Sequence, residues 1–184
     1  MNSQDATVPE RPPEAGPEDA SNVRDGDAHS DVSVIDARPH HQDAWRALWD
    51  GYLEFYGTDL APEITAYTWR RIRDPLSPVR CRLAVTAGDE IVGLVHTVTH
   101  EATWVIAQTL YLEDLFVAPR ARGLGVGRAL IDDVIAGAKA RDYSRVYWHT
   151  HSDNEAARRL YDRYVKADAF VRYRINIVGD RGTG

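Results

Sequence analysis

The chain has 184 residues, of which 43% are hydrophobic and 27% are charged, a balance typical of one soluble folded domain. Its formal net charge is −6, and residues 1–31 alone hold eight acids and two bases, so the remainder is formally neutral. This distribution argues against a nucleic-acid-binding protein with a dominant basic field.

The single cysteine, Cys81, excludes an intrachain disulfide and a cysteine zinc cluster, and it fits a reducing compartment. No apolar run reaches the length that spans a bilayer, so we expect no membrane association. The N-terminus has neither a basic start nor an apolar segment, which argues against a secretory signal. These observations together predict a cytoplasmic protein.

Residues 1–31 are rich in Pro, Glu, Asp, Ser and Ala and predict a disordered acidic tail, with a partner-binding arm as the alternative. Residues 32–178 have the pattern of one folded domain, and residues 179–184 are expected to be a short disordered end. A short strand at 32–35 opens the domain. Large apolar residues then repeat at helical spacing and predict a first helix, with most of its aromatic residues in the core; the repeating residues are Trp45, Leu48, Trp49, Tyr52 and Tyr56.

Glycine and proline mark the boundaries of the next elements. Gly57 is expected to end the first helix, and a second helix begins at Pro62 and ends before Pro75. Its apolar side is expected to hold Ile64, Tyr67 and Ile72. Two strands at 82–86 and 90–99 follow, joined by a turn at 87–89 that predicts a hairpin.

The second half of the chain continues with alternating elements. Residues 110–117 predict a strand, 124–141 a helix and 145–150 another strand. The stretch 152–155 (Ser-Asp-Asn-Glu) resembles a capping box that opens a further helix. Phe170–Val178 is expected to close the domain as its last strand. This order predicts a mixed α/β (α+β) fold.

A glycine-rich loop, Arg122-Gly-Leu-Gly-Val-Gly127, separates the strand at 110–117 from the following helix. Backbone N–H groups at such a helix start can hold phosphate oxygens. The loop is not a Walker loop, because Arg128 and Ala129 follow its last glycine. It also departs from the dinucleotide fingerprint, because its third glycine comes one residue early. A tight turn without a ligand is the alternative.

Val117 followed by Arg122-x-x-Gly125-x-Gly127 resembles the acetyl-coenzyme A signature of the GNAT N-acetyltransferases. The resemblance covers roughly residues 80–175. Outside the loop, the chain resembles diamine (spermidine/spermine) and histone/polyamine acetyltransferases in particular. The residues that carry this further resemblance are Tyr111-Leu-Glu-Asp-Leu-Phe-Val117, Val146-Tyr-Trp148, Asn154 and Leu160-Tyr161. It implies a GNAT fold, in which a mixed central β-sheet is splayed around the cofactor and helices cover both faces.

The resemblance implies acetyl-CoA as the acyl donor and coenzyme A as the product. The pantetheine arm would pair with the strand at 115–117, and the pyrophosphate would lie on the amides of 123–128. Arg122 and Arg128 would add charge, and Asn154 would contact the cofactor from the following helix. The implied cofactor-binding residues are Leu115, Phe116, Val117, Arg122, Gly123, Leu124, Gly125, Val126, Gly127, Arg128, Asn154, Ala157 and Tyr161.

Transfer to an amine requires a base, because an alkyl amine with a pKa of about 10.4 is neutral in roughly one molecule per thousand at pH 7. The resemblance places Glu113 beside the reaction centre, and Glu113 is the first choice for this base. Strand alternation predicts that Asp114 points to the opposite face. A solvated or ion-paired strand residue is the alternative for either acid.

The resemblance also implies that Tyr161 returns a proton to the departing thiolate, although a simple core position is the alternative. A backbone N–H of the strand, that of Leu115, would stabilise the oxyanion. Cys81 lies outside the loop and helix that carry this chemistry, so we expect direct attack by the amine rather than an acyl-enzyme.

Asp50 and Glu54 lie one turn apart on the first helix and could attract a cationic amine, with a solvated face as the alternative. His149 and His151 could share a strand face, but no third metal ligand has conventional spacing, so no metal site is expected. One of the four histidines His96, His100, His149 and His151 could instead line the substrate pocket or assist as a base.

The predicted function is transfer of acetyl to the primary amine of a small polyamine-like or other amino-group substrate. A protein lysine or N-terminal acetyltransferase and a non-catalytic acyl-CoA-binding module are the alternatives. A homodimer is plausible, because members of the family commonly pair.

Overall fold

A five-stranded sheet organises the chain in the computed structural model, which describes residues 32–177. The predicted tail at 1–31 and the predicted C-terminal end at 179–184 lie outside the described residues, as does Val178. The strands and helices are, in chain order, β1 (Val32–Asp36), α1 (Gln42–Phe55), α2 (Pro62–Arg73), β2 (Val79–Thr86), β3 (Ile91–His100), β4 (Thr109–Val117), α3 (Val126–Lys139), β5 (Arg145–Trp148) and α4 (Glu155–Tyr161).

The strands lie in the sheet in chain order, and each neighbouring pair is antiparallel except β4 and β5. The helix α3 supplies the long connection that this parallel pair needs. The predicted mixed α/β fold with helices on both faces is confirmed. None of the helices described is both long and apolar enough to cross a bilayer.

The two faces of the sheet have different cores. The helices α1 and α2 cover one face with an aromatic core that includes Trp45, Trp49, Trp69 and Phe116. The helix α3 covers the other face with an aliphatic core that includes Leu130 and Ile131, both fully buried. We call these the aromatic face and the aliphatic face of the sheet. Burial of this much apolar surface is the main favourable contribution to folding.

The predicted inward side of α2 is right at Ile72 and wrong at the other two positions. Ile64 and Tyr67 are exposed, and the buried residues are Thr65, Thr68, Trp69 and Ile72. These four positions still follow helical spacing, but two of them are threonines. A buried threonine is acceptable at 65, because its hydroxyl accepts a hydrogen bond from the Trp49 indole N–H at 3.1 Å.

Two predictions near the C-terminus are also wrong. The helix α4 is capped by Asn154, whose side chain accepts a hydrogen bond from the Ala157 amide at 3.2 Å, and not by Ser152. Residues 170–177 form no strand, and their apolar side chains are exposed. The alternating pattern that favoured a strand lacks a neighbouring strand among residues 32–177, and an isolated strand cannot satisfy its backbone groups.

Candidate active site

The strand β4 has two halves that differ in pairing. Residues 109–112 pair with β3 on one side and with β5 on the other, and the last parallel pair is Leu112 with Trp148. Residues 114–117 pair only with β3, because β5 ends at Trp148, and Glu113 pairs with neither strand. We call residues 113–117 the open half of β4. Its free edge exposes backbone groups that can hydrogen-bond an extended ligand.

The open half begins with a β-bulge. His96 of β3 pairs with Asp114, and the next residue, Thr97, pairs with Leu112, so Glu113 is an extra residue without a partner. Leu112 and Leu115 both pack in the aliphatic core although they are three residues apart. The simple alternation predicted for this strand is therefore wrong.

Both acids of the bulge interact with groups on the aromatic face. Asp114 contacts the His96 ring, and the charges of Asp114 and of Arg71 of α2 act on Glu113. Burial, followed by the charge of Asp114, raises the pKa of the Glu113 carboxyl. A carboxylate with a raised pKa is a better proton acceptor than an ordinary surface acid.

Sequence reasoning missed the hydrogen-bonded environment of Asp114. The His96 Nδ1 lies 3.0 Å from the Asp114 Oδ2, and the Trp45 Nε1 donates to the His96 Nε2 at 2.9 Å. Burial, and then the charge and hydrogen bond of Asp114, raise the pKa of the Tyr52 phenol. The only sequence signal was a histidine inside a strongly apolar strand, because its partners are distant along the chain.

The glycine loop ends at the N-terminus of α3, close to the end of the open half. Gly123 and Gly125 both adopt φ +79°, a left-handed conformation that favours glycine, and Gly125 is the N-cap of the helix. A side chain at Gly127 would begin 3.1 Å from the Leu160 Cδ2 of α4, so glycine allows the two helices to approach. The first-turn amides have no intrahelical acceptors and can bind a pyrophosphate.

Tyr161 lies at the end of α4, against Trp148, the last residue of β5, with 5.4 Å between ring centroids. Burial, with a smaller contribution from Tyr56, raises the pKa of its phenol to about 12. The phenol therefore carries its proton at neutral pH and can donate it.

These features are an open strand edge, a glycine loop at a helix start, a strand carboxylate and a protonated tyrosine. Residues 41–165 match the profile of the Acetyltransferase (GNAT) family. The chain belongs to this family. Its members use acetyl-CoA as the acyl donor in general.

Known relatives agree with this assignment. The chain is 34% identical over 149 residues to the D-amino-acid N-acetyltransferase HPA3 of Saccharomyces cerevisiae, a match that covers 80% of this chain and 92% of the relative. A solved structure of a probable acetyltransferase matches with a TM-score of 0.71 and 24% identity, over 79% of this chain and 98% of that one. The ribosomal-protein-alanine N-acetyltransferase from Brucella melitensis biovar Abortus 2308 matches with a TM-score of 0.64 and 20% identity, over the same shares of the two chains. The two structural matches show the GNAT fold alone.

The remaining cofactor residues predicted for this GNAT protein lie around the open half and the loop. The Phe116 side chain is buried in the aromatic core, so its contact with a ligand would be through the backbone. The Arg122 Nε donates to the Val117 carbonyl at 3.3 Å. The Arg128 side chain faces Asp132 at 3.6 Å. Leu124 is exposed at the tip of the loop, whereas Val126 is buried.

The predicted substrate pair on α1 lies outside the carboxylate cluster of the bulge. Asp50 forms an exposed ion pair with Arg46 at 2.8 Å, which reduces its attraction for an amine. Glu54 borders a groove that also contains Phe116 and Arg122. A role for Asp50 and Glu54 as substrate contacts remains a prediction. The two adjacent acids at 113–114 form a separate acidic cluster.

Two of the histidines, His100 and His149, lie within hydrogen-bond distance of tyrosine hydroxyls. The His149 Nδ1 lies 3.3 Å from the Tyr111 hydroxyl, and the His100 Nε2 lies 3.0 Å from the Tyr147 hydroxyl. Within residues 32–177, no group of three or more metal-binding side chains is arranged around a common point.

Proposed function

We propose that this protein transfers acetyl from acetyl-CoA to the primary amine of a small molecule by direct attack of the amine. The observation that carries the proposal is the open half of β4. This segment has an unpaired edge, begins with two carboxylates, Glu113 and Asp114, and is followed by the glycine loop. An extended acyl donor and an amine can therefore meet at one point of the strand.

The chain's own groups fit the donor proposed from the sequence. The free edge of residues 115–117 can hydrogen-bond an extended pantetheine arm, and the amides of 123–128 can hold the pyrophosphate. Asn154 and Ala157 begin α4, which packs against Gly127 through Leu160. When bound, the donor supplies an activated thioester, and the protein supplies position and proton transfer.

Glu113 is the proposed base. Its carboxylate is partly desolvated and adjoins a second negative charge, so it accepts a proton more readily than an isolated acid. It takes the proton from the ammonium group of the acceptor, directly or through one water, and the neutral amine is then able to attack.

Tyr161 is the proposed acid, and the Leu115 N–H is the proposed oxyanion donor. The Tyr161 phenol is protonated at neutral pH and so is available as a proton donor, although its raised pKa makes it a weaker acid than a thiol, whose pKa is about 8.5. The backbone N–H is fixed by the strand and needs no rearrangement when negative charge develops. The sole cysteine, Cys81, is buried in the aromatic core, and burial raises the pKa of its thiol, which makes it a poor nucleophile.

The acceptor is proposed to be a small molecule with a free amino group. The yeast relative acts on D-amino acids, which supports an amino acid as one candidate. Arg71 of α2 adds a positive charge near Glu113, and such a charge could receive the carboxylate of an amino acid. Two adjacent acids equally suit a polyamine, the acceptor that the finer sequence resemblance predicts.

A panel of acceptors with acetyl-CoA, read by thiol release, tests this proposal. The panel contains D- and L-amino acids, spermidine, an amino sugar and a lysine peptide, and the Tyr161→Phe variant is the control for background hydrolysis. We expect kcat/KM for at least one small amine to exceed that for the peptide by tenfold or more. Preference for the peptide would favour a protein acetyltransferase, and binding without turnover would favour an acyl-CoA-binding module.

We also propose that the protein forms a homodimer. The segment 170–177 alternates exposed apolar residues with polar ones, and the outer edge of β5 has no partner strand among residues 32–177. A second copy of the chain could cover both. Analytical ultracentrifugation tests this: we expect a dimer that Ile175→Asp and Tyr173→Asp dissociate, and a parent protein that sediments as a monomer would contradict it.

A further inference from the structure

A chain of two buried hydrogen bonds leads from α1 to the open half of β4. The Trp45 indole N–H donates to the His96 Nε2 at 2.9 Å, and the His96 Nδ1 is hydrogen-bonded to the Asp114 Oδ2 at 3.0 Å. Trp45 and His96 are 1% and 2% exposed, whereas the Asp114 side chain is 17% exposed. The chain therefore ends on the one member that reaches the site.

The direction of this chain is fixed by the indole. An indole N–H can only donate, so the His96 Nε2 must be the acceptor and carries no hydrogen. The imidazole hydrogen consequently lies on Nδ1 and is donated to the Asp114 carboxylate. Both ring nitrogens of His96 are then committed, and the ring cannot itself take the substrate's proton. Its effect on the reaction has to pass through Asp114.

The other groups that face Asp114 are neutral donors or acids. Tyr52 of α1 approaches it, and Cys81 of β2 lies opposite His96 in the sheet; burial raises the pKa of both side chains. Glu113 adjoins it on the same strand. Within residues 32–177, no lysine or arginine forms an ion pair with Asp114, and Arg71 of α2 is a cation whose charge acts on Glu113.

We propose that Asp114 holds a negative charge that binds the acceptor's ammonium group beside Glu113, and that His96 and Trp45 are positioning residues for this carboxylate. The inference rests on the proposed function, because it assigns the second acid of that site. The neutral imidazole orients Asp114 without neutralising it. An arginine in place of His96 would orient the carboxylate equally well but would cancel the charge that the ammonium needs.

The Trp45→Phe variant tests the positioning role. It removes the indole N–H, so the His96 Nε2 loses its donor and is left able to accept a proton. The resulting imidazolium would pair with Asp114 and cancel its charge. When the pH is lowered from 8 to 5.5, we expect the KM for the amine to rise about tenfold more in Trp45→Phe than in the parent. This is the size expected for the loss of one hydrogen bond to a charged group. We expect little change in kcat.

Trp49→Phe is the matched control. It lies one turn further along α1 and loses the same indole, but its N–H donates to the Thr65 hydroxyl and not to His96. We expect the pH dependence of KM in Trp49→Phe to keep the parent's shape. Equal profiles for the two folded variants would overturn the proposal, because a merely structural loss would affect both alike.

Two further measurements keep the proposal testable if Trp45→Phe does not fold. The side chain in His96→Gln can accept from Trp45 and donate to Asp114, so we expect a near-parent KM, whereas His96→Leu should raise it about tenfold. Nitrogen-15 NMR of the parent should show His96 protonated at Nδ1 and not at Nε2 at neutral pH. The opposite tautomer, or equal KM values in both His96 variants, would overturn the proposal. Failure of the proposed function would instead appear as no acetyl transfer by the parent with any amine.

Discussion

The two halves of β4 differ in pairing, burial and chemistry. Residues 109–112 pair on both edges, and three of these four side chains are buried. Residues 113–117 begin with the unpaired bulge residue Glu113, pair on one edge only from 114 onward and contain both acids of the strand. The comparison shows how a continuous strand can be scaffold at one end and binding site at the other. The change occurs where the neighbouring strand ends.

The loss of a neighbour has a physical consequence. Backbone N–H and C=O groups without partners carry a free-energy cost unless water or a ligand satisfies them. The open half leaves such groups beside the N-terminus of α3, whose first-turn amides are also without intrahelical acceptors. One extended ligand with a phosphate end can satisfy both sets, and this is the shape of the acyl donor.

The largest expected effect on the paired half is on stability. Leu112 is 2% exposed in the aliphatic core, and Leu112→Ala should lower the free energy of unfolding by about 2–5 kcal/mol, because it removes buried methyl groups and leaves a cavity. Urea unfolding measures this. We expect kcat of the folded variant to stay within about twofold of the parent. If Leu112→Ala instead lowered kcat tenfold with little loss of stability, the paired half would take part in catalysis and the proposed distinction between the two halves would be wrong.

The next largest effect concerns Tyr161, which packs against Trp148 at the end of β5. Tyr161→Phe keeps the ring against Trp148 but removes the proposed acid, so kcat should fall by about ten- to a thousandfold. The melting temperature should change little. Steady-state thiol release measures kcat, and an unchanged kcat would remove Tyr161 from the mechanism.

A smaller and pH-dependent effect is expected for Glu113→Gln. The neutral fraction of an alkyl amine falls about tenfold for each unit of pH below its pKa, so a base matters most in acid. Because burial raises the pKa of Glu113, its own help declines as the pH falls through that raised value. We expect kcat/KM of the variant to fall about tenfold below the parent near neutral pH and to approach it above pH 9. A pH–rate profile superimposable on the parent's would reject the role.

The smallest effect is expected from a hydroxyl in the paired half. The Thr109 hydroxyl is completely buried and lies 3.0 Å from the Ser144 hydroxyl, which also donates to the Gln108 carbonyl. Thr109→Val keeps the shape and loses one hydrogen bond, so the free energy of unfolding should fall by about 1 kcal/mol. Thermal unfolding at two pH values measures it. A change in KM for the amine would show that the paired half takes part in the site.

Most elements could be predicted from the sequence, because their signals are local. Glycine and proline bound α1 and α2 at 57 and 62, and alternation marks the hairpin of β2 and β3. The glycine loop was evident because its spacing and its place between a strand and a helix are both local features. The buried face of α2 could not be predicted, because two of its residues, Thr65 and Thr68, are polar. Their burial depends on partners from other elements.

The arrangement of the acids could not be predicted. The bulge at Glu113 depends on how β3 pairs with β4, and nothing in residues 110–117 alone indicates an extra residue. His96 is 18 residues from Asp114 and 51 from Trp45, so no short motif joins them. Residues 170–177 show the converse, because a strand pattern produces a strand only where a partner strand exists.

Hydrogen–deuterium exchange with and without acetyl-CoA tests the central claim most directly, namely that the open half of β4 and the glycine loop hold the acyl donor. We expect slower exchange at the amides of 115–117 and 123–128, and unchanged exchange in 109–112, which is already paired on both edges. Protection confined to other parts of the chain, or no protection in folded protein at saturating acetyl-CoA, would contradict the account.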